Sequence, residues 1–315
     1  MIGRSIEALQ TAARAMNAPP GSQARWWPSR EPTLPQPPPG PGFEPKAPRQ
    51  SGPPPLPSAG APPLNPQLAR IVEAVAAERL EVLLEPIHAL VEGRPRHFEI
   101  SMRLLTADGV ALEQHELSRL LQCSGLMPRI DAARIARAAR VAGRLGQRGR
   151  QGSVLTTMAG ESLTDASFLD RATSAPGDNA AMTLVLAFAQ NEVRAFTPAH
   201  LQALAGLADL GFRFGLEAVT DLDMDFAALK QMGFLFVELD APVFLDGLPF
   251  AGGHIPASDI CRHLADFGLS LIVGRIEDDW LLARILGFGV LFGKGTRFGG
   301  PRLVKDEVVT GPAAA

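Results

Sequence analysis

The residues of this chain most able to do chemistry are carboxylates that close short apolar runs. Glu99 sits in RHFEISMRL, Glu217 ends FRFGLE, Glu238 and Asp240 end FLFVELD, and Glu277 ends LIVGRIE. Clustered carboxylate oxygens suit hard divalent cations; single ones at strand ends also read as ordinary solvated charges. Asp221, Asp223 and Asp225 alternate like the start of a calcium loop, but Phe226 and Met232 stand where its glycine and closing glutamate are needed. The histidines His88, His97, His115, His200, His254 and His263 form no HxH or HExxH pair, so a histidine-held zinc site is not expected. Cys123 and Cys261 lie far apart with no CxxC spacing and read as buried free thiols in a reducing compartment. Arg134, Arg137, Arg140 and Arg144 recur at helical spacing and read as a solvated helix face. GKGTRFGG at 293–300 lacks the leading strand and GKS/T ending of a nucleotide loop, and reads as a flexible barrel-closing turn.

Alternating elements must position these side chains. Residues 80–90 and 96–104 read as two strands joined by a turn at Glu92–Arg94. Strands follow at 153–158, 182–189, 212–217, 234–240, 269–274 and 288–293. Helical patterns fall at 67–80, 113–122, 129–147, 161–170, 198–210, 224–232, 257–267 and 278–286. Apolar strands separated by helices imply parallel βαβ units. Eight strands over roughly 240 residues fit a closed (β/α)8 TIM-like barrel, an α/β fold whose chemistry sits at the C-terminal strand ends. An open doubly wound sheet is the alternative, weakened because no GxGxxG follows the early strands.

The chain ahead of the barrel is of another kind. Residues 1–17 include a helical spacing at Ile6, Leu9, Ala13 and Met16, which reads as a short amphipathic helix for a partner or as a frayed tail. Residues 18–66 hold 18 of the 28 prolines and read as a Pro-rich disordered linker, with LPQPPP as a candidate docking motif. Trp26 and Trp27 are unusual in a linker and read as anchors for a partner or for the domain itself. The folded domain is expected over 67–303, with a flexible tail at 304–315. The formal net charge of -3 predicts no nucleic-acid partner. No apolar run is long enough for a membrane span and no signal-peptide pattern opens the chain, so a cytoplasmic protein is expected.

Read in order, the strand ends resemble the EAL domain family. FEISMRL is similar to the EALLRW segment, CSGLMPRID to AExxGLIxxID, SVLTTMAGESL to VNLSxxxL, and LVLAFAQ to LELTE. GFRFGLEAVTDLDMDFAALKQMGFLFVELD resembles GxxxALDDFGTGxSSLxxLxxLxxDxxKID without a gap. LSLIVGRIE resembles the AEGVE strand, and GVLFGKGTRFGGPR the final QGY…P. The strings AVTDLDMDF and AFAQ are also similar to the EAL domain of flagellar assembly factors.

The resemblance implies a cyclic di-GMP phosphodiesterase or receptor. In such an enzyme, strand-end carboxylates and an Asn hold two cations that activate water, and a lysine helps orient the nucleophile. By that alignment Glu99, Glu217, Asp240 and Glu277 are residual metal-ligand positions. Thr157, Ala187, Ala218, Gly274 and Phe292 fall on positions whose usual ligands or contacts are lost, and Glu238 falls on the lysine position. Arg103 matches a phosphate-binding arginine, and Glu85 falls on a ligand-contacting glutamine. The expectation is a catalytically degenerate EAL protein, a cyclic di-GMP receptor or protein-interaction scaffold in flagellar or cell-pole regulation. Protein partners would dock through the N-terminal segment or barrel surface. No cofactor is expected, with Mg²⁺ or Mn²⁺ entering only with residual activity. The alternatives are a weak phosphodiesterase with a rearranged metal site and a barrel enzyme acting on another phosphate ester.

Overall fold

The computed structural model describes residues 66–77, 79–121, 124–174 and 182–304. The expectations for 1–17, for the Pro-rich stretch up to residue 65, for Trp26, Trp27 and Cys123, and for the tail from 305 lie outside the described residues.

Helix α1 (Pro66–Ala76) leads into β1 (Leu80–Ala89), which turns directly into β2 (Arg94–Leu105). A four-residue connection can join only antiparallel neighbours, and these strands pair from Leu80↔Leu104 to Ala89↔Arg94. The reading of uniformly parallel units therefore fails at β1. From β2 onward the barrel strands are parallel: β4 (Gly152–Thr157), β5 (Met182–Ala189), β6 (Arg213–Glu217), β7 (Phe234–Asp240), β10 (Ser270–Gly274) and β11 (Phe292–Gly293). β11 returns antiparallel to β1 through His88↔Gly293 and Ala89↔Phe292, and this pairing closes the ring. Two short strands flank it, β3 (Ala111–Leu112) on β2 and β12 (Arg302–Leu303) on β1.

Parallel strands covered on both faces need side chains that are apolar throughout, and MTLVLAFA of β5 meets that need, with only Thr183 and Ala189 not buried. A small inner core of Ile87, Leu155, Val185, Phe236 and Ile272 plugs the barrel. Burying each such side chain contributes about 2 kcal/mol. The larger core lies between the strands and an outer ring of helices. That ring includes α2 (Gln114–Leu121), α3 (Met127–Gln147), α4 (Ala166–Ser174), α5 (Gln190–Arg194), α6 (Pro198–Asp209) and α7 (Phe226–Gln231). α8 (Ala241–Asp246), α9 (Ala257–Asp266) and α10 (Asp279–Leu286) complete it.

Several expectations need correction. The segment expected as one helix at 161–170 is a 3₁₀ turn (Gly160–Thr164) followed by α4. α8 and the hairpin β8 (Leu248–Phe250) with β9 (Gly253–Ile255) were not anticipated; they interrupt the β7-to-β10 crossover. The strand expected at 288–293 shrinks to Phe292–Gly293 because Gly287 and Gly289 break the run before it. Val304 is still tied to the barrel through its N–H to the Val82 carbonyl at 2.8 Å.

The arginines of α3 are not a solvated face. Arg134 is 1% exposed and Arg137 6%. Arg134 Nη1 donates to Asp131 Oδ1 and to the Thr157 carbonyl, both at 2.6 Å. Asp131 in turn accepts from Ala159 N–H at 2.9 Å and Ser162 Oγ at 2.6 Å. A buried charge persists only when paired and hydrogen-bonded. This pair is the pin by which α3 fixes the end of β4, where Thr157 stands.

Candidate functional site

The site is the layer above the inner core. Strand pairing places Glu99 opposite Leu155 on β4, Thr157 opposite Ala187 on β5, Glu217 opposite Ala189, and Asp240 opposite Gly274 on β10. The end of β11 adds a residue that the sequence reading had absorbed into a turn, Lys294.

Lys294 is the centre of the layer. Its side chain is 10% exposed, and its ammonium pairs with Glu99 and, at 2.6 Å, with Glu238. Burial works against the ammonium, but the two carboxylates outweigh it and hold its pKa above the ordinary lysine value. Burial raises the Glu238 carboxyl, and the ammonium opposes that rise. Glu238, which falls on a lysine position by resemblance, thus faces a lysine from another strand.

Glu217 borders the same cluster, within electrostatic reach of Glu99 and Lys294. Thr157 Oγ1 donates to Glu217 Oε2 at 2.8 Å, so these two residues, which the resemblance assigns to ligand positions, are hydrogen-bonded to each other. Burial pushes the Glu217 carboxyl up to about 7, with the Thr157 hydrogen bond opposing the rise. Ala187 and Gly274 offer no side-chain oxygen. Ala218, one residue past Glu217, offers none either and sits at φ 50°.

Around the lysine lies a cavity of about 240 Å³ lined by Glu85, Glu238, Asp240, Arg275, Glu277, Lys294, Gly295 and Thr296. Pockets that enclose whole ligands run to roughly 300–1,000 Å³, so this open cleft takes in a group of phosphate size and leaves the rest of a larger ligand outside it. Arg275 bridges its rim, 3.4 Å from Asp240 Oδ2 and 3.9 Å from Glu277 Oε1. Glu85 is raised by burial, with the Gly295 N–H bond and Lys294 working against the rise. Arg103 points elsewhere in its bonding: it pairs with Glu81 at 2.5 Å and with Glu113 at 3.9 Å. Of the residues singled out from sequence, Glu85, Glu99, Glu238, Asp240 and Glu277 therefore meet at or beside Lys294. Glu217 lies next to this group and is hydrogen-bonded to Thr157, and Arg103 is engaged with Glu81 and Glu113.

The residues do not fit the divalent cations that the fold implies. The position between Glu99 and Glu238 holds an ammonium, and β5 and β10 bring only the methyl of Ala187 and the hydrogen of Gly274. Among the described residues no group of three His, Cys, Asp or Glu side chains is arranged to hold a metal. Sequence reasoning missed Lys294 and Arg275. The usable signal was a lone lysine between two glycines at the end of the last barrel strand, the same level at which the carboxylates end theirs.

Solved structures of similar fold agree with this architecture. The FimX EAL domain from Pseudomonas aeruginosa, bound to c-di-GMP, matches with a TM-score of 0.61 at 19% identity, over 75% of this chain and 96% of that one. The PaMucR phosphodiesterase, in complex with c-di-GMP, matches with a TM-score of 0.64 at 15% identity, over 76% of this chain and 98% of that one. The EAL enzyme Bd1971, in its cAMP- and cyclic-di-GMP-bound form, matches with a TM-score of 0.61 at 15% identity; the match covers 74% of this chain and 65% of Bd1971. No curated protein matches the chain. The model of the EAL domain matches residues 68–301, most of the chain, and with the closed barrel and the strand-end acids in place, this protein belongs to the EAL domain family.

Proposed function

We propose that this chain is an EAL-domain protein that binds without hydrolysing, a cyclic di-GMP receptor whose output passes to a protein partner. The observation that carries this reading is the run of strand ends without oxygen donors, at Ala187, Ala218 and Gly274. Two-metal hydrolysis depends on ligand count and geometry to generate hydroxide and to clamp both reacting oxygens. A centre lacking three such donors cannot seat both ions. Relatives of the same fold include complexes with c-di-GMP, which supports that dinucleotide as the ligand to test. Of the two cations at the cavity, Lys294 is committed to Glu99 and Glu238, so a phosphate would be met by Arg275, drawn from its rim partners Asp240 and Glu277. The flagellar or cell-pole setting is supported only by the resemblance of AVTDLDMDF and AFAQ to flagellar assembly factors.

Calorimetry of the full chain with cyclic di-GMP, in EDTA, tests this reading. Saturable heat without chelatable metal is expected. Binding that appears only when Mn²⁺ is supplied contradicts it. Absence of heat in both conditions would move the function to a nucleotide-independent scaffold.

A further inference from the structure

We propose that Lys294 is a built-in cation that takes the place of a divalent metal between Glu99 and Glu238, so that the charge of this carboxylate pair is offset by the chain itself. The inference deepens the non-hydrolysing reading and rests on it.

Three independent features of the structure converge on this residue. The first is charge. The ammonium lies between Glu99 and Glu238, the position at which a cation is required if two carboxylates are to share a poorly solvated space.

The second is room. A Cβ built on Gly274 would stand 3.3 Å from Glu238 Oε1, 3.4 Å from Lys294 Cε and 3.5 Å from Asp240 Oδ1. Any longer side chain there would enter the lysine's place. The glycine that reads as a lost ligand in sequence is, in the fold, the space into which the lysine rises.

The third is the backbone. Lys294 N–H donates to the Val273 carbonyl at 3.0 Å, and its own carbonyl accepts from Ile276 N–H at 3.0 Å, so it is held on both sides of Gly274. Gly295 must be glycine, since a Cβ there would lie 2.4 Å from the Ile276 carbonyl oxygen; a Cβ on Gly293 would lie 2.6 Å from Ile276 Cδ1, a side-chain tip that would have to shift. Gly295 also sits at φ 142°, which a side chain disfavours. The GKG triplet is thus a mount for one ammonium. A surface ion pair needs none of this, and one 10% exposed is not a surface pair.

A lysine that replaces a metal makes a prediction that a merely structural lysine does not. Thermal unfolding of the full-length protein is measured in EDTA and in millimolar MnCl₂, for the native chain and for Lys294→Ala. The native Tm should be the same in both. The variant, with Glu99 and Glu238 left facing each other, should melt several degrees lower in EDTA and recover part of that loss in MnCl₂. A native chain stabilised by Mn²⁺ overturns the proposal, as does a variant that keeps the native Tm in EDTA or gains nothing from the metal. If Lys294→Ala does not fold, Glu238→Gln with Lys294→Met decides. Recovery of folding in that neutralised pair supports the proposal, and failure to recover overturns it. These are stability readings, so they stand apart from any finding of cyclic di-GMP turnover, which would sink the non-hydrolysing reading instead.

Discussion

Ala218 holds an uncommon backbone conformation at the end of β6. It stands at φ 50°, just past Glu217, and Arg275 stands at φ 57° just past Gly274. A residue with a Cβ in this left-handed region costs roughly 1–2 kcal/mol. Ala218 is exposed, so little packing is at stake. Ala218→Gly should raise stability by about 1 kcal/mol in urea unfolding, the relief of strain exceeding the entropy that glycine adds to the unfolded chain. A variant less stable than the native protein would mean that the conformation is not strained. At the same scale, the missed Lys294 is instructive. Its flanking glycines suggest a turn, and only the closing of β11 on β1 and β10 brings its side chain to the acids.

Elements were more legible than single side chains where apolar periodicity was long. β4, β5, β7 and β10 fall within a residue or so of their expected bounds, because buried parallel strands are apolar throughout. The α8 and β8–β9 insertion was not legible, since APVFLDGLPFAGGHI carries proline and glycine breaks that read as loop. The arginines of α3 misled because charge at helical spacing normally marks solvent, and only the partner carbonyl of Thr157 and the buried Asp131 explain Arg134 inside. The start of α6 carries its own testable switch. Thr197 N–H donates to His200 Nδ1 at 3.2 Å, and burial lowers the His200 pKa below its ordinary 6.5. The unfolded chain then takes up the proton first, so the stability that this neutral ring contributes is present above about pH 6.5 and lost as pH falls below it. His200→Gln, which retains an acceptor, should show a smaller fall in Tm between roughly pH 7 and pH 5. An equal fall in both proteins would remove His200 from the account.

At the scale of the whole molecule the EAL fold frames a site organised around an ammonium. The barrel, its closure and its carboxylate layer belong to a family whose solved members include a phosphodiesterase complex with c-di-GMP. In this chain Ala187, Ala218 and Gly274 carry no side-chain oxygen, and an ammonium stands between Glu99 and Glu238. Fold and activity are separable in general because packing and catalysis draw on different residues of the same strands. No helix among the described residues is long and apolar enough to cross a membrane. The most direct measurement is turnover: the purified full-length protein, incubated with cyclic di-GMP and Mg²⁺ or Mn²⁺, with the nucleotides separated over time. The account predicts that the dinucleotide stays intact, with no more linear pGpG than in a protein-free control. Linear pGpG that accumulates with the native protein and disappears in Glu99→Gln would contradict it.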